Sequence, residues 1–200
     1  MTGKELRAKR IARNIRVVIS DVDGVFTDNR VLEGTSHKGK WRSYYDGQGV
    51  SLLRAIGIQI AIITNEKGDS AKHIEDVVEK WNRLPSSSKE LSDGGWPHVK
   101  LYTGMGGDKK VIAATQFLEE IGMLGEPSPF ENCAFMADDL VDVPLLLKVG
   151  LRAAPITADP HVKKLVHFIS ERQGGYGAFR DFANFILEAR GIDPTSLPPQ

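Results

Sequence analysis

The chain has one cysteine, Cys133, and no second one to pair with it. An intramolecular disulfide is therefore excluded. A lone thiol inside an apolar run reads as an inert core residue of a protein kept in a reducing cytosol. No apolar run approaches the roughly 20 residues that a membrane helix needs. Charge of one sign is missing too. The 26 basic and 26 acidic residues give a formal net charge of zero, which leaves no broad basic field for nucleic acid or an anionic membrane. The start of the chain is locally basic through Lys4, Arg7, Lys9, Arg10, Arg13 and Arg16, but it lacks the apolar stretch of a signal peptide. A solvated helical extension over 1–15 is expected there. The absences point to a soluble, cytoplasmic protein with no nucleic-acid or membrane partner. What is present, 200 residues of which 41% are hydrophobic and 26% charged, suits a single α/β domain over 1–200 that folds without disulfides.

Residues 17–19 form a short β-branched run that stops at Ser20 and Asp21, the pattern of a buried parallel strand. Residues 31–34 and 40–45 suggest the arms of a β-hairpin flap with its turn over 35–39. A short helix is expected over 50–56, stopped by Gly57. Further strands are expected over 58–63, 99–102, 133–136, 150–153 and 168–169. Further helices are expected over 69–81, 108–123 and 176–189. The stretch 84–98, rich in Pro, Ser and Gly, reads as a surface loop insertion rather than a linker. Strands that alternate with helices predict a Rossmann-like three-layer αβα sandwich with a mostly parallel sheet and no separate cap domain. In such sheets ligands sit at the carboxyl ends of the strands. The residues that end the apolar runs are Asp21, Asp23, Thr64, Asp138 and Asp139, which makes them the candidate site.

Aspartates at i and i+2 of a strand project to one side, and Gly24 lets the chain curl so that both face one point. Carboxylates this close repel each other unless a cation is present. A hard divalent ion with oxygen ligands resolves the repulsion, and Mg2+, which keeps water and substrate phosphate in its shell, is the natural one. A phosphorylated small molecule is thereby implied. One aspartate can attack phosphorus, and the other can protonate the leaving oxygen and later activate water. A hydroxyl and a lysine would meet the growing phosphoryl charge. Thr64 fits the hydroxyl. Either Lys109 or Lys110 fits the lysine, with Lys110 favoured because it places Val111, Ala114 and Leu118 in helical phase. The five histidines, His37, His73, His98, His161 and His167, are too scattered for a metal site.

The segment Asp21-Val22-Asp23-Gly24-Val25-Phe26-Thr27-Asp28, then Ile62-Ile63-Thr64, then Leu101-Tyr102-Thr103-Gly104 with Lys110, then Ala137-Asp138-Asp139-Leu140-Val141-Asp142 resemble the four motifs of the haloacid-dehalogenase superfamily. With Tyr45-Asp46-Gly47-Gln48-Gly49-Val50 and the tail Gly174-Gly175-Tyr176-Gly177-Ala178-Phe179-Arg180, the chain resembles the small capless branch. That branch holds the 3-deoxy-D-manno-octulosonate 8-phosphate and nonulosonate (N-acylneuraminate) 9-phosphate phosphatases. The resemblance implies Asp21 as nucleophile and Asp23 as general acid/base. It implies Mg2+ on the carboxylates of Asp21 and Asp138 and the backbone carbonyl of Asp23, with Thr64 and Lys110 holding the phosphoryl group. It further implies substrate contacts at Asn65, Lys67, Asp46 and Gly47, and a homotetramer in which flap and tail close a neighbour's site.

Four positions depart from the branch. Asn65-Glu66-Lys67 follows Thr64 where the octulosonate enzymes usually have Gly-Arg, and Tyr45, Tyr176 and Ala137 replace a basic residue, an arginine and a glycine. None of these removes a catalytic group, but together they remove cations that would meet a sugar-acid carboxylate. Two other functions fit the same residues: a phosphatase-like subunit of a larger complex such as phenylphosphate carboxylase, and a non-catalytic binding module.

Overall fold

The computed structural model describes residues 3–32 and 39–198. Six strands form one sheet: β1 (Val17–Ser20), β2 (Gln59–Ile63), β3 (Lys100–Tyr102), β4 (Cys133–Met136), β5 (Leu151–Ala154) and β6 (Phe168–Ile169). Their order is β3-β2-β1-β4-β5-β6, and every pairing is parallel. The helices are α1 (Gly3–Ala12), α2 (Tyr44–Ala55), α3 (Lys72–Asn82), α4 (Asp108–Glu120), α5 (Val143–Leu146), α6 (Pro160–Leu165) and α7 (Ala178–Ala189).

Strand alternation divides the core in two. Val18, Ile60, Ile62, Ala134 and Met136 face a cluster completed by α1, α2, α3 and α7. Val17, Ile19, Ala61, Ile63, Cys133 and Phe135 face a second cluster completed by α4, α5 and α6. The result is the expected three-layer sandwich. Cys133 is fully buried, and burial pushes its thiol up to about 12, as suits an inert core residue. The N-terminal helix is less solvated than its charge suggests, since Ala8 and Ala12 dock into the first cluster.

The flap and α2 differ from the sequence reading. The expected arm over 40–45 does not continue as a strand, because α2 already starts at Tyr44 with Ser43 as its N-cap. Two isolated antiparallel bridges, Leu32↔Gly39 and Thr27↔Arg42, tie the segment down. Residues 33–38, most of the expected turn and His37 with it, lie outside the described residues. Gly47 and Gly49 sit inside α2 because the helix packs tightly there. A Cβ on Gly47 would lie 3.2 Å from Trp81 Nε1, and one on Gly49 would lie 3.0 Å from the Arg180 backbone.

The stretch 84–98 is exposed over much of its length but pinned from inside. Arg54 is fully buried; its Nε donates to the Pro97 carbonyl at 2.6 Å and its Nη1 to the Trp81 carbonyl at 3.0 Å. Trp96 is buried beside the same guanidinium. Among the described residues no helix is long and apolar enough to cross a membrane.

Candidate active site

The chain starts in the middle of the sheet, runs to one edge through β2 and β3, and returns to the other side of β1 with β4. The reversal of order therefore lies between β1 and β4, where open α/β sheets bind their ligands beyond the strand ends. Asp21 directly follows β1, Thr64 directly follows β2, and Asp138 comes two residues after β4. They line one open cleft of about 230 Å³ with Asp23, Asn29, Asn65, Glu66, Lys110, Asp139 and Val141.

Lys110 enters from the first turn of α4 and is almost fully buried, whereas Lys109 is exposed. The Lys110 ammonium lies 2.8 Å from Asp21 Oδ2 and pairs closely with Asp142 Oδ1. Burial opposes its charge, but Asp21 and Asp142 outweigh that and hold its pKa above the ordinary lysine value. Asp21 Oδ1 accepts from the Val22 N–H at 2.8 Å. Even so, burial, then Asp142, push the Asp21 carboxyl up to about 7. Asp138 is pushed further, to about 8, by burial and then by Asp21, Asp142 and Asp139.

Ligand oxygens of Asp21, Asp138 and Asp142 lie within 4.8 Å of one another. This set is all oxygen, strongly negative and short of counter-charge, which matches a hard divalent cation. Gly24 makes the close approach possible. It adopts φ 76°, and a Cβ there would fall 1.9 Å from Asp138 Oδ2. Sequence reasoning passed over Asp142 as a site residue. A signal was available: Asp139 and Asp142, three apart, form a reciprocal capping box at the 3₁₀ turn Leu140–Asp142.

Asp23 is held apart from that cluster. Its Oδ1 accepts from Thr27 Oγ1 at 3.0 Å, and both its oxygens accept from Lys40 Nζ at 2.8 Å. Lys40 Nζ also donates to Glu66 Oε1 at 3.0 Å. Burial opposes the charge on Lys40, but hydrogen bonds to Asp23 and Glu66 raise its pKa overall. Asn29, which lines the cleft in the left-handed region at φ 62°, points Nδ2 toward Asp138 Oδ2 at 3.5 Å. Asparagine adopts this region readily because its short amide can bond locally. Thr64 Oγ1 accepts from the Glu66 N–H at 3.1 Å, which leaves the hydroxyl hydrogen for a ligand.

Of the expected substrate contacts, Asn65 lines the cleft, while Lys67 stands exposed outside its lining. The structure does not bring Asp46 and Gly47 there either. Asp46 is fully buried, and its carboxylate accepts from the N–H groups of Gly177, Phe179 and Arg180 at 3.1, 2.9 and 3.2 Å. It holds the N-terminus of α7, and burial raises its pKa to about 6. The glycine-rich tail packs on the loop after β1 of its own chain: Gly175 N–H donates to the Val25 carbonyl at 2.9 Å, and a Cβ on Gly174 would fall 1.8 Å from the Gly24 carbonyl oxygen.

No protein-family model matches the chain. It is 33% identical over 181 residues to the 3-deoxy-D-manno-octulosonate 8-phosphate phosphatase of Escherichia coli K12, across 90% of this chain and 83% of that enzyme. Among solved structures, the 3-deoxy-D-manno-octulosonate 8-phosphate phosphatase of Yersinia pestis superposes with a TM-score of 0.75 at 29% identity, over 92% of this chain and 87% of that one. The cobalt-bound form of the deoxy-D-mannose-octulosonate 8-phosphate phosphatase of Haemophilus influenzae gives 0.69 at 26% identity, over 90% and 92%.

Proposed function

Because the chain belongs to the family of the 3-deoxy-D-manno-octulosonate 8-phosphate phosphatases, within the haloacid-dehalogenase superfamily, and is a phosphatase, we propose that it hydrolyses the phosphomonoester of a 2-keto-3-deoxy sugar acid through an aspartyl-phosphate on Asp21. The observation that carries this reading is the position of Asp21. It ends the central strand, contacts Lys110 at 2.8 Å, and opens onto the same cleft as Thr64 and Asp138. The cofactor is Mg2+; Asp21 and Asp138 would hold it with the Asp23 backbone carbonyl, and the Asp142 carboxylate lies close enough to join Asp21 and Asp138. When bound, it supplies the positive charge that keeps Asp21 ionised and offsets the charge on the phosphoryl oxygens. The cobalt bound to the Haemophilus relative supports a divalent-ion site.

The chain's own groups divide the work as follows. An Asp21 carboxylate oxygen attacks phosphorus, and the bond from phosphorus to the sugar oxygen breaks. Asp23 gives its proton to that departing oxygen. The Asp23 carboxylate then takes a proton from water as the water attacks phosphorus, and the bond to Asp21 breaks to release phosphate. Lys110 stays charged between Asp21 and Asp142, where it meets a phosphoryl oxygen, and the Thr64 hydroxyl donates to another. Asn65 lies where the remainder of the substrate would extend. Lys67, Asp46 and Gly47 have no contact role in this reading.

A homotetramer is part of the proposal. Trp41, Tyr44, Tyr45 and Tyr176 are 77%, 84%, 62% and 54% exposed, aromatic rings before and at the start of α2 and in the tail, of the kind that interfaces cover. Light scattering should return four times the 22.0 kDa chain mass. The test of function is phosphate release with Mg2+ from 3-deoxy-D-manno-octulosonate 8-phosphate, a nonulosonate 9-phosphate, glucose 6-phosphate and phenyl phosphate. Preference for a keto-acid phosphate supports the reading. Preference for phenyl phosphate would move the chain to the aryl-phosphate class, and release from none would overturn the substrate proposal.

A further inference from the structure

We propose that Lys40 is a positioning residue for proton transfer: carried in by the flap, its ammonium holds the Asp23 carboxyl in line with the leaving oxygen and ties it to Glu66 across the cleft. This rests on Asp23 being the acid/base. Lys40 comes from a different segment than either partner, 17 residues from Asp23 and 26 from Glu66. Its side chain is only 2% exposed, whereas Asp23 and Glu66 are 25% and 28% exposed. The cation is thus the buried member, and the two carboxylates are its access to the cleft.

The bridges Leu32↔Gly39 and Thr27↔Arg42 clamp the chain on both sides of Lys40. Thr27, held by the second bridge, also donates to Asp23 Oδ1. Oδ1 therefore accepts from both Thr27 and Lys40, while Oδ2 accepts from Lys40. Bonds to both oxygens from Lys40 and to Oδ1 from Thr27 fix the plane of the Asp23 carboxyl, and so the direction in which it exchanges a proton. An exposed ion pair would add little, but a buried ammonium shared by two carboxylates fixes both in place. Misplacing a reacting group by 1 Å costs on the order of 100-fold in rate.

The test compares 4-nitrophenyl phosphate, whose leaving oxygen departs as a stable anion, with phenyl phosphate, whose leaving oxygen needs a proton. Both are assayed with the Mg2+-loaded full chain. Lys40→Met should lose on the order of 100-fold in kcat on phenyl phosphate but only several-fold on 4-nitrophenyl phosphate. Lys40→Arg should recover most of the difference. Glu66→Gln, which loosens the clip from its far side without touching Lys40, should show a smaller loss of the same kind and serves if Lys40→Met is poorly folded. In the double variant with Asp23→Asn, removing Lys40 should add no further bias between the substrates. Equal losses on both substrates, or none, would overturn the proposal. Asp23→Asn alone separates the premise from the inference: if it shows no bias between the two esters, the acid/base reading of Asp23 falls; if it shows the bias and Lys40→Met does not, only the role of Lys40 falls.

Discussion

Replacing Gly24 with alanine tests how closely the carboxylate cluster depends on one missing Cβ. The new atom would lie 1.9, 2.3 and 2.9 Å from Oδ2, Cγ and Oδ1 of Asp138. All three atoms belong to the Asp138 side chain, so its carboxylate must swing away. Holding alanine at φ 76° adds about 1–2 kcal/mol. For a chain of this size that is about 2–4 °C in Tm per kcal/mol, and the variant should fold. Its function should suffer far more. A ligand displaced by an ångström or more costs on the order of 100-fold in rate, and disturbing the support of a metal site costs about 10–100-fold in affinity. Isothermal titration with Mg2+ and steady-state hydrolysis of 4-nitrophenyl phosphate read the two quantities, with circular dichroism to confirm the fold. A folded Gly24→Ala chain with unchanged Mg2+ affinity and rate would refute the assignment of Asp138 as a ligand.

Other expectations follow from charge and burial. Asp21 and Asp138 titrate near 7 and 8 in the metal-free chain, above the ordinary value of 3.8. Their folded-state pKa values are raised, so the stability they contribute is greatest at low pH and is lost as pH rises from about 4 through about 8. Mg2+ must displace those protons at low pH. Its apparent affinity should therefore tighten from about pH 5.5 to about 8 and then level off. The rise in Tm on adding Mg2+ should be larger at about pH 8 than at about pH 6, and a flat profile would contradict the assignment. Asp46→Ala leaves three N–H groups at the start of α7 without their acceptor and should cost about 3 kcal/mol by urea unfolding. Arg54→Met strips the donors from two buried carbonyls and should cost about as much, and Arg54→Lys should not restore it, since one ammonium cannot reproduce the planar fork.

The strands were readable because each is a short β-branched or apolar run broken by a polar residue, and a buried parallel sheet demands this. Those break points also line the cleft, which is why Asp21, Thr64 and Asp138 could be named from order and spacing. Helix α7 was readable because Phe179, Phe182, Ala183 and Ile186 recur at helical spacing. The start of α2 was hidden by Gly47 and Gly49, which weaken a helix in isolation and are present because Trp81 and Arg180 press against them. Ser43, a preferred N-cap type whose side chain accepts from the Tyr45 N–H, marks the true start. Lys40, Asn29 and Arg54 were not readable. Each acts through partners distant in sequence, and a lysine in a flap looks like any solvated charge until the chain folds Asp23 and Glu66 around it.

The central claim is that Asp21 carries the phosphoryl group. Rapid acid quench during turnover of 4-nitrophenyl phosphate with Mg2+, followed by peptide mass spectrometry, tests it directly. The account predicts one added phosphoryl mass on the peptide containing Asp21, removed by hydroxylamine and absent in Asp21→Asn. Rapid turnover with no labelled peptide, or a label that persists in Asp21→Asn, would contradict it.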